Sequence, residues 1–165
     1  MDLTLKILEE KDVEKDYVEW FSDPEVVRFS SNQYRKFTIN SQKKYVSNCL
    51  RNKNIDLYGI FDKNRHIGNI VISGFSSPSK EAEITYVVGN KEYWGKGVAS
   101  FAVSEISEKA INKYKLHKLF AGVADVNVAS RSVLEKSGFV IEGTRIDQLF
   151  FGGKRYDRID YVLIL

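Results

Sequence analysis

The sequence predicts a mixed α+β (α/β) domain, in which a mixed sheet is partly covered by helices. Three observations predict it. Apolar spacing switches between a period of two and a helical period, in the order β, helices, β, β, β, helix, β, helix, β, β. From Glu81 to Val123 a strand, a glycine-bearing loop, a long helix and a second strand follow one another, the pattern of a right-handed parallel crossover. Gly152-Gly153 divides two long strand-like segments, which suits a primed hairpin turn.

Each element has its own signal. Leu3–Leu8 alternates and reads as the first strand. Asp12–Phe21 has helical spacing at Val13, Tyr17, Val18 and Phe21. Asp23-Pro24-Glu25 starts a second short helix, with Asp23 at the N-cap and Pro24 in the first turn. Ser41–Arg51 reads as a helix with Tyr45, Val46, Cys49 and Leu50 on one face, which makes Cys49 a small core residue. Leu57–Phe61 and His66–Ser73 flank the turn Asp62-Lys63-Asn64-Arg65 as a hairpin. Residues 74–80 are a loop, and Glu81–Val88 is a strand. Val98–Tyr114 is a long amphipathic helix with Phe101, Val103, Ile106, Ala110 and Ile111 apolar. Leu119–Val123 is a short buried-type strand. Ser130–Lys136 is a short helix closed by Gly138, which tolerates positive φ. Phe139–Phe151 and Lys154–Leu165 form the final hairpin.

Composition narrows the function classes. A chain of 165 residues, 43% hydrophobic and 28% charged, is expected to be a single domain over 1–165. Its 25 basic and 22 acidic residues give +3, too balanced for a protein that coats nucleic acid. Cys49 is the only cysteine, and His66 and His117 are far apart, so no disulfide and no metal cluster is expected. The N-terminus lacks a signal-peptide core, and no apolar run approaches the roughly 20 residues of a membrane span. A soluble cytoplasmic protein with no membrane or nucleic-acid partner is the expectation, as a monomer or homodimer.

The sharpest chemical signal is Tyr93-Trp94-Gly95-Lys96-Gly97-Val98-Ala99, between a strand and the long helix. Glycines let backbone N–H groups face a ligand, and the helix start adds partial positive charge. A P-loop is excluded: five residues separate Gly89 from Gly95, and Gly97 follows Lys96. The G-x-G-x-x-G dinucleotide pattern fails at Ser100. On glycines alone, a ligand-free tight turn or another nucleotide site stays open.

The segment Trp94-Gly95-Lys96-Gly97-Val98-Ala99 resembles the pyrophosphate loop of the GNAT superfamily of acetyl-CoA-dependent N-acetyltransferases, Gln/Arg-x-x-Gly-x-Gly/Ala. Trp94 departs from its first position. A second block, Asn127-Val128-Ala129-Ser130 through Glu135-Lys136-Ser137-Gly138-Phe139, resembles the family's Asn-x-x-Ser/Ala…Glu-Lys-x-Gly-Phe helix. The loop form is similar to the branch that acetylates ribosomal-protein alanines. The resemblance implies a mixed, mostly antiparallel sheet of about seven strands flanked by about four helices, with acetyl-CoA as co-substrate. Trp94, Gly95, Lys96, Gly97, Val98 and Ala99 would then surround the pyrophosphate. Backbone N–H groups near Val87, Val88 and Gly89 would face the thioester. Lys96 is either a ligand or a solvated surface lysine, and Arg131 and Lys136 either meet the phosphates or lie on a solvated face.

Acetyl transfer to an amine needs a base, an oxyanion donor and a donor for the leaving thiolate. Glu83 is the candidate base: it shares a strand face with Thr85 and Val87, and burial there would tune it. Glu83 also lies eleven positions before Trp94, matching the base glutamate of the family's histone-acetylating branch. Many family members carry a tyrosine where this chain has Leu134, so Ser130 is the substitute donor, with Asn127 as a second. Asn127 has the alternative of merely capping its helix. Arg28, Asn32, Tyr34 and Arg35 either bind the acceptor or pack at the rim. The reading is direct attack by a primary amine, from a small molecule such as an amino sugar or polyamine or from a protein N-terminus. A catalytically inactive CoA-binding or regulatory module is the alternative.

Overall fold

A computed structural model describes all of residues 1–165. Strand β1 (Leu3–Ile7) leads through a 3-10 turn (Glu10–Asp12) into α1 (Lys15–Trp20) and α2 (Pro24–Val27). After a second 3-10 turn (Ser31–Tyr34) come α3 (Ile39–Arg51), β2 (Ile55–Asp62), β3 (Arg65–Ser73) and β4 (Glu81–Val88). Then follow α4 (Val98–Asn112), β5 (Lys118–Ala124), α5 (Val128–Lys136), β6 (Val140–Phe151) and β7 (Lys154–Ile164). The α+β expectation holds, with a seven-stranded sheet and five α-helices.

Local chemistry explains the boundaries. Asp23 accepts the N–H of Glu25 at 2.9 Å, with Pro24 beside it in the first turn. Thr38 and Ser41 cap α3 reciprocally, so that helix begins two residues earlier than its apolar spacing suggests. The helix expected from Asp12 begins only at Lys15, because the Asp12 carboxylate accepts the Glu9 N–H and closes a 3-10 turn first. Its buried residues are therefore Tyr17 and Trp20, with Val18 and Phe21 only partly covered. In α4 the buried stripe is Val98, Ala102, Val103, Ile106 and Ala110, and Ile111, one position off it, is half exposed. Cys49 is buried beside Val46, while Tyr45 and Leu50 flank them in solvent.

The sheet runs β1-β2-β3-β4-β5-β7-β6. Every neighbouring pair is antiparallel except β4 with β5. Two apolar layers flank it. The α4 stripe packs with Tyr58, Ile60, Ile70, Ile72, Ile84, Leu119 and Tyr161. The residues Tyr17, Trp20, Val46 and Cys49 of α1 and α3 pack on Leu8, Leu57 and Phe61. At roughly 2 kcal/mol per fully buried large side chain, these layers are the main source of stability.

His66 lies among rings in the second layer. It stacks on Phe61 at 4.9 Å and meets Tyr17 and Trp20 edge-on. Its Nε2 lies 3.0 Å from the Gly68 carbonyl and 2.7 Å from Asn69 Oδ1, two acceptors that assign the proton to Nε2. Nδ1 is buried without a partner. Burial holds its pKa below the ordinary 6.5, against weaker raising effects from Asn69 and Gly68. The unfolded chain therefore takes up a proton more readily than the folded one, and stability falls as pH drops below about 6.5. Urea midpoints at pH 7.5 and 5.5 should show that loss in the wild type and much less of it in His66→Gln. An equal loss in both would remove His66 as its source.

Candidate active site

The site begins where two strands part. β4 and β5 pair only at Glu81–Lys118, Ala82–Leu119 and Glu83–Phe120. Beyond Glu83 both strands continue, β4 to Val88 and β5 to Ala124, without pairing each other. Each is paired on its outer side, β4 with β3 as far as Val88 and β5 with β7 as far as Ala124. A V-shaped opening results.

Ladder alternation tells which main-chain groups line it. The Gly89 N–H donates to the Ile67 carbonyl at 3.0 Å. Alternate residues in an antiparallel pair bond across it, so Val87, Thr85 and Glu83 are turned to β3. Val88 and Tyr86 turn their main-chain groups to the opening. Trp94 supports this orientation, since its indole Nε1 donates to the Val88 carbonyl at 2.7 Å. Two expectations are corrected here. Val87 and Gly89 do not offer N–H groups to a ligand, because β3 already accepts from them. Trp94 closes back on the strand end instead of merely replacing a phosphate ligand.

At the mouth, Gly95 and Gly97 adopt φ of 72° and 80°, conformations that side chains resist. Gly97 stands at the N-cap of α4, and no side chain caps that helix. The N–H groups of Val98, Ala99 and Ser100 thus face outward with no main-chain acceptor in the chain. This donor set suits a pyrophosphate, and the free Tyr86 main-chain groups and Val88 N–H suit an amide-bearing arm. Lys96 is exposed, its ammonium 5.9 Å from the Tyr93 ring.

The second wall is α5. Asn127 Oδ1 accepts the Ser130 N–H at 3.2 Å, so its side chain is a cap. The Ser130 carbonyl accepts from the Tyr86 hydroxyl at 3.2 Å. Burial pushes the Tyr86 phenol up to about 12. Arg131 is not a free phosphate ligand: it donates to the Tyr161 hydroxyl at 3.2 Å and to the Asp125 carbonyl at 3.0 Å. Leu134 is fully buried at 0% exposure. Lys136 is exposed at the helix end. Tyr86 is the residue to which sequence reading gave no place at this wall. The available signal was its place on the strand face opposite Glu83.

The other face of the parted strands is open. Glu83, expected to be buried, keeps 35% of its side chain exposed and lies 3.5 Å from an Arg158 amino group. Arg158 donates through Nε to Asp160 at 2.7 Å, and Arg145 reaches the other Asp160 oxygen at 2.7 Å. Burial works against the Arg158 charge, but Asp160 and Glu83 outweigh it and hold its pKa above the ordinary value. The guanidinium lies over Gly122, in the space where a Cβ would stand.

A wall of this face comes from the segment after α2. Phe29 meets Tyr156 of β7 edge-on at 6.2 Å. The Tyr34 hydroxyl donates to the Phe150 carbonyl at 3.1 Å. Gln33 ties the segment together through three carbonyls, those of Val27, Arg28 and Ser30. Arg28 is exposed over the Phe29 ring, and the Asn32 N–H is held by Ser30 Oγ at 3.1 Å. Of the expected acceptor residues, Tyr34 is thus anchored to the hairpin, while Arg28 extends into solvent.

A sheet whose parallel strands part over free amides, with a glycine turn at the mouth, defines a class of fold that can hold a ligand bearing amides and phosphates. The acetyltransferase (GNAT) domain family matches residues 2–140, and the chain belongs to that family. It is similar to the Bacillus subtilis (strain 168) protein named "Putative ribosomal N-acetyltransferase YdaF", at 31% identity over 97 residues. That match covers 59% of this chain and 52% of YdaF, so it spans about half of the relative's length. Among solved structures, a Vibrio cholerae spermidine N-acetyltransferase in complex with CoA and spermine has a TM-score of 0.87 at 19% identity, over 99% of this chain and 95% of that one. RimL, a ribosomal L7/L12 alpha-N-protein acetyltransferase in complex with CoA, has a TM-score of 0.88 at 18% identity, over 100% and 95%. At these identities the two structures share the fold. No helix is long and apolar enough to cross a membrane.

Two close approaches separate structural from site glycines. A Cβ at Gly89 would overlap the Trp20 indole, which is buried and fixed. A Cβ at Gly122 would overlap only the movable end of Arg158. Gly89→Ala should cost about 2–4 kcal/mol in urea denaturation, and Gly122→Ala about 1 kcal/mol or less. In Gly122→Ala the guanidinium should leave Glu83, read from the Arg158 Nε–H resonance. Equal losses in the two variants would contradict this assignment.

Proposed function

We propose that the chain transfers acetyl from acetyl-CoA to a primary amine, by direct attack with both substrates bound. The observation that carries this reading is the V between β4 and β5, lined by the Tyr86 and Val88 amides and opening at the Gly95–Gly97 turn. Bound acetyl-CoA would supply the activated acetyl group as a thioester. Gly95, Gly97 and the first-turn N–H groups of α4 would hold its diphosphate, with Lys96 adding charge. The Val88 N–H points into the opening, where it serves as oxyanion donor. Glu83 approaches from the open face and takes the proton of the attacking amine, directly or through a water. Ser130, at the other wall, would be a secondary donor to the leaving sulfur, beside the Tyr86 phenol that bonds its carbonyl. Asn127 shapes that wall as the cap of α5.

The acceptor enters over the open face, between Glu83 and the segment Arg28–Tyr34. Arg28, Asn32 and Tyr34 are the proposed acceptor-side residues. A small-molecule amine, such as an amino sugar or polyamine, and a protein N-terminus are the acceptor classes to screen. RimL and the spermidine enzyme are named for one of each kind. We place the activity in the cytoplasm, in keeping with a lone unpaired cysteine. The buried Leu134 favours a second reading, a CoA-binding module without turnover, because no hydroxyl stands at that turn of α5.

Thermal shift and thiol release separate these readings. Acetyl-CoA, and not ATP or NAD, should raise Tm, since a ligand bound only by the folded state stabilises it. With an accepted amine, Glu83→Gln should lower kcat about a hundredfold or more, and Ser130→Ala should lower it by about tenfold. Binding without thiol release across amino sugars, polyamines and N-terminal peptides would favour the module. A shift with ATP or NAD alone would overturn both.

A further inference from the structure

We propose that Tyr86 is the hydrogen-bond donor that receives the leaving thiolate. This rests on the acetyl-transfer reading above. The phenol stands on the α5 side of β4, opposite Glu83, and its main-chain groups line the opening. Its hydroxyl reaches across to the first turn of α5, where it meets the Ser130 carbonyl. That carbonyl is the one partner of the hydroxyl, so turning to another acceptor exchanges a single hydrogen bond for another.

Position eliminates the other phenols. Tyr161 is fully buried and donates to Glu135 at 2.6 Å. Tyr93 donates to Asp62 at 3.0 Å, at the β2–β3 turn. Tyr58 and Tyr114 bond each other at 2.7 Å and share Lys113 and Asp56 at the far end of α4. Leu134, one turn beyond Ser130 on the same face of α5, offers no polar atom. Tyr86 is the phenol that reaches from β4 to the first turn of α5.

The step balances without a further reagent. The amine nitrogen bonds to the acetyl carbon and its proton passes to Glu83. The carbon–sulfur bond breaks, and its electron pair stays on sulfur. The Tyr86 O–H turns from the Ser130 carbonyl to that sulfur. Burial that holds the phenol near 12 keeps it protonated at working pH. A thiol of ordinary pKa, about 8.5, is the stronger acid, so the phenol stabilises the thiolate and water supplies its proton afterwards. Hydrogen bonds to charged groups are about twice as strong as neutral ones, so the contact favours the product side of the breaking bond.

Binding of CoA and of desulfo-CoA at pH 9, measured by calorimetry, tests this apart from turnover. The wild type should prefer CoA by about tenfold, the size expected of a hydrogen bond to a charged sulfur. Tyr86→Phe keeps the ring and should bind the two ligands within about twofold, with kcat down about tenfold or more and KM for acetyl-CoA little changed. Ser130→Ala should keep the preference for CoA. A wild type without preference, or a Tyr86→Phe variant that retains it, would overturn the proposal. Transfer of the loss to Ser130→Ala would do the same and assign the contact to Ser130. If no amine is acetylated while the preference exists and vanishes in Tyr86→Phe, the activity reading fails and the phenol contact stands. A wild type that binds neither ligand would sink both.

Discussion

The three-residue pairing of β4 with β5 is the constraint on which the rest of the site depends. Each strand is fully engaged on its outer side, by β3 and by β7, so neither can swing across to close the gap. The opening is therefore a product of the sheet and needs no ligand to form. It leaves the main-chain groups of Tyr86 and the N–H of Val88 facing the gap. Main-chain groups without a ladder partner are answered by water, by a ligand or by another part of the fold. Trp94 answers one group, the Val88 carbonyl, and by doing so leaves the N–H of the same residue as the directed donor.

The same parting sorts the chemistry by face. Residues at even positions of β4 turn toward α5, so the Tyr86 phenol meets the first turn of that helix. Residues at odd positions turn to the open face, where Glu83 meets Arg158. That contact spans from β4 to β7 over Gly122 of β5, and it joins the two halves of the sheet just where they begin to separate. Asp160 and Arg145 continue the row. Because the guanidinium already has Asp160 as its close partner, its 3.5 Å contact with Glu83 is the weaker of the two, and an incoming amine competes only with that one. A carboxylate so placed is accessible to an acceptor without a rearrangement of the sheet.

Much of this was legible in the sequence, for physical reasons that differ by element. The strand–loop–helix–strand unit showed itself through periodicity, and the glycine turn through its spacing before a helix, since both are local signals. Asn127, Pro24 and Gly138 also act within one turn of their own positions. What escaped was long-range. That Glu83 would meet Arg158, 75 residues on, depends on β7 inserting between β5 and β6. That Arg131 would be tied to Tyr161 depends on the same insertion. The choice of Val88 over Val87 depends on ladder phase, which a one-residue slip reverses. The early start of α3 and the late start of α1 turned on capping bonds that compete with the apolar pattern.

The two proposed substrates would meet the protein through parts of unlike construction. The proposed cofactor wall uses main-chain groups of neighbouring segments, β4, the glycine turn and α4, whose geometry follows from the sheet itself. The acceptor wall is assembled from distant segments: Tyr34 bonds Phe150 and Phe29 meets Tyr156, so residues 28–35 and the last hairpin form one surface. Side chains there can change without disturbing the amides of the V, because the contacts that hold them lie outside the β3–β4 ladder. A fold built this way keeps one donor chemistry while its acceptor surface varies, and in this chain that surface carries the exposed Arg28 and the Arg158–Asp160–Arg145 row. On the proposed reading, acceptor choice would be a matter of charge and reach on the open face, separate from the amides and hydroxyls that would meet the thioester.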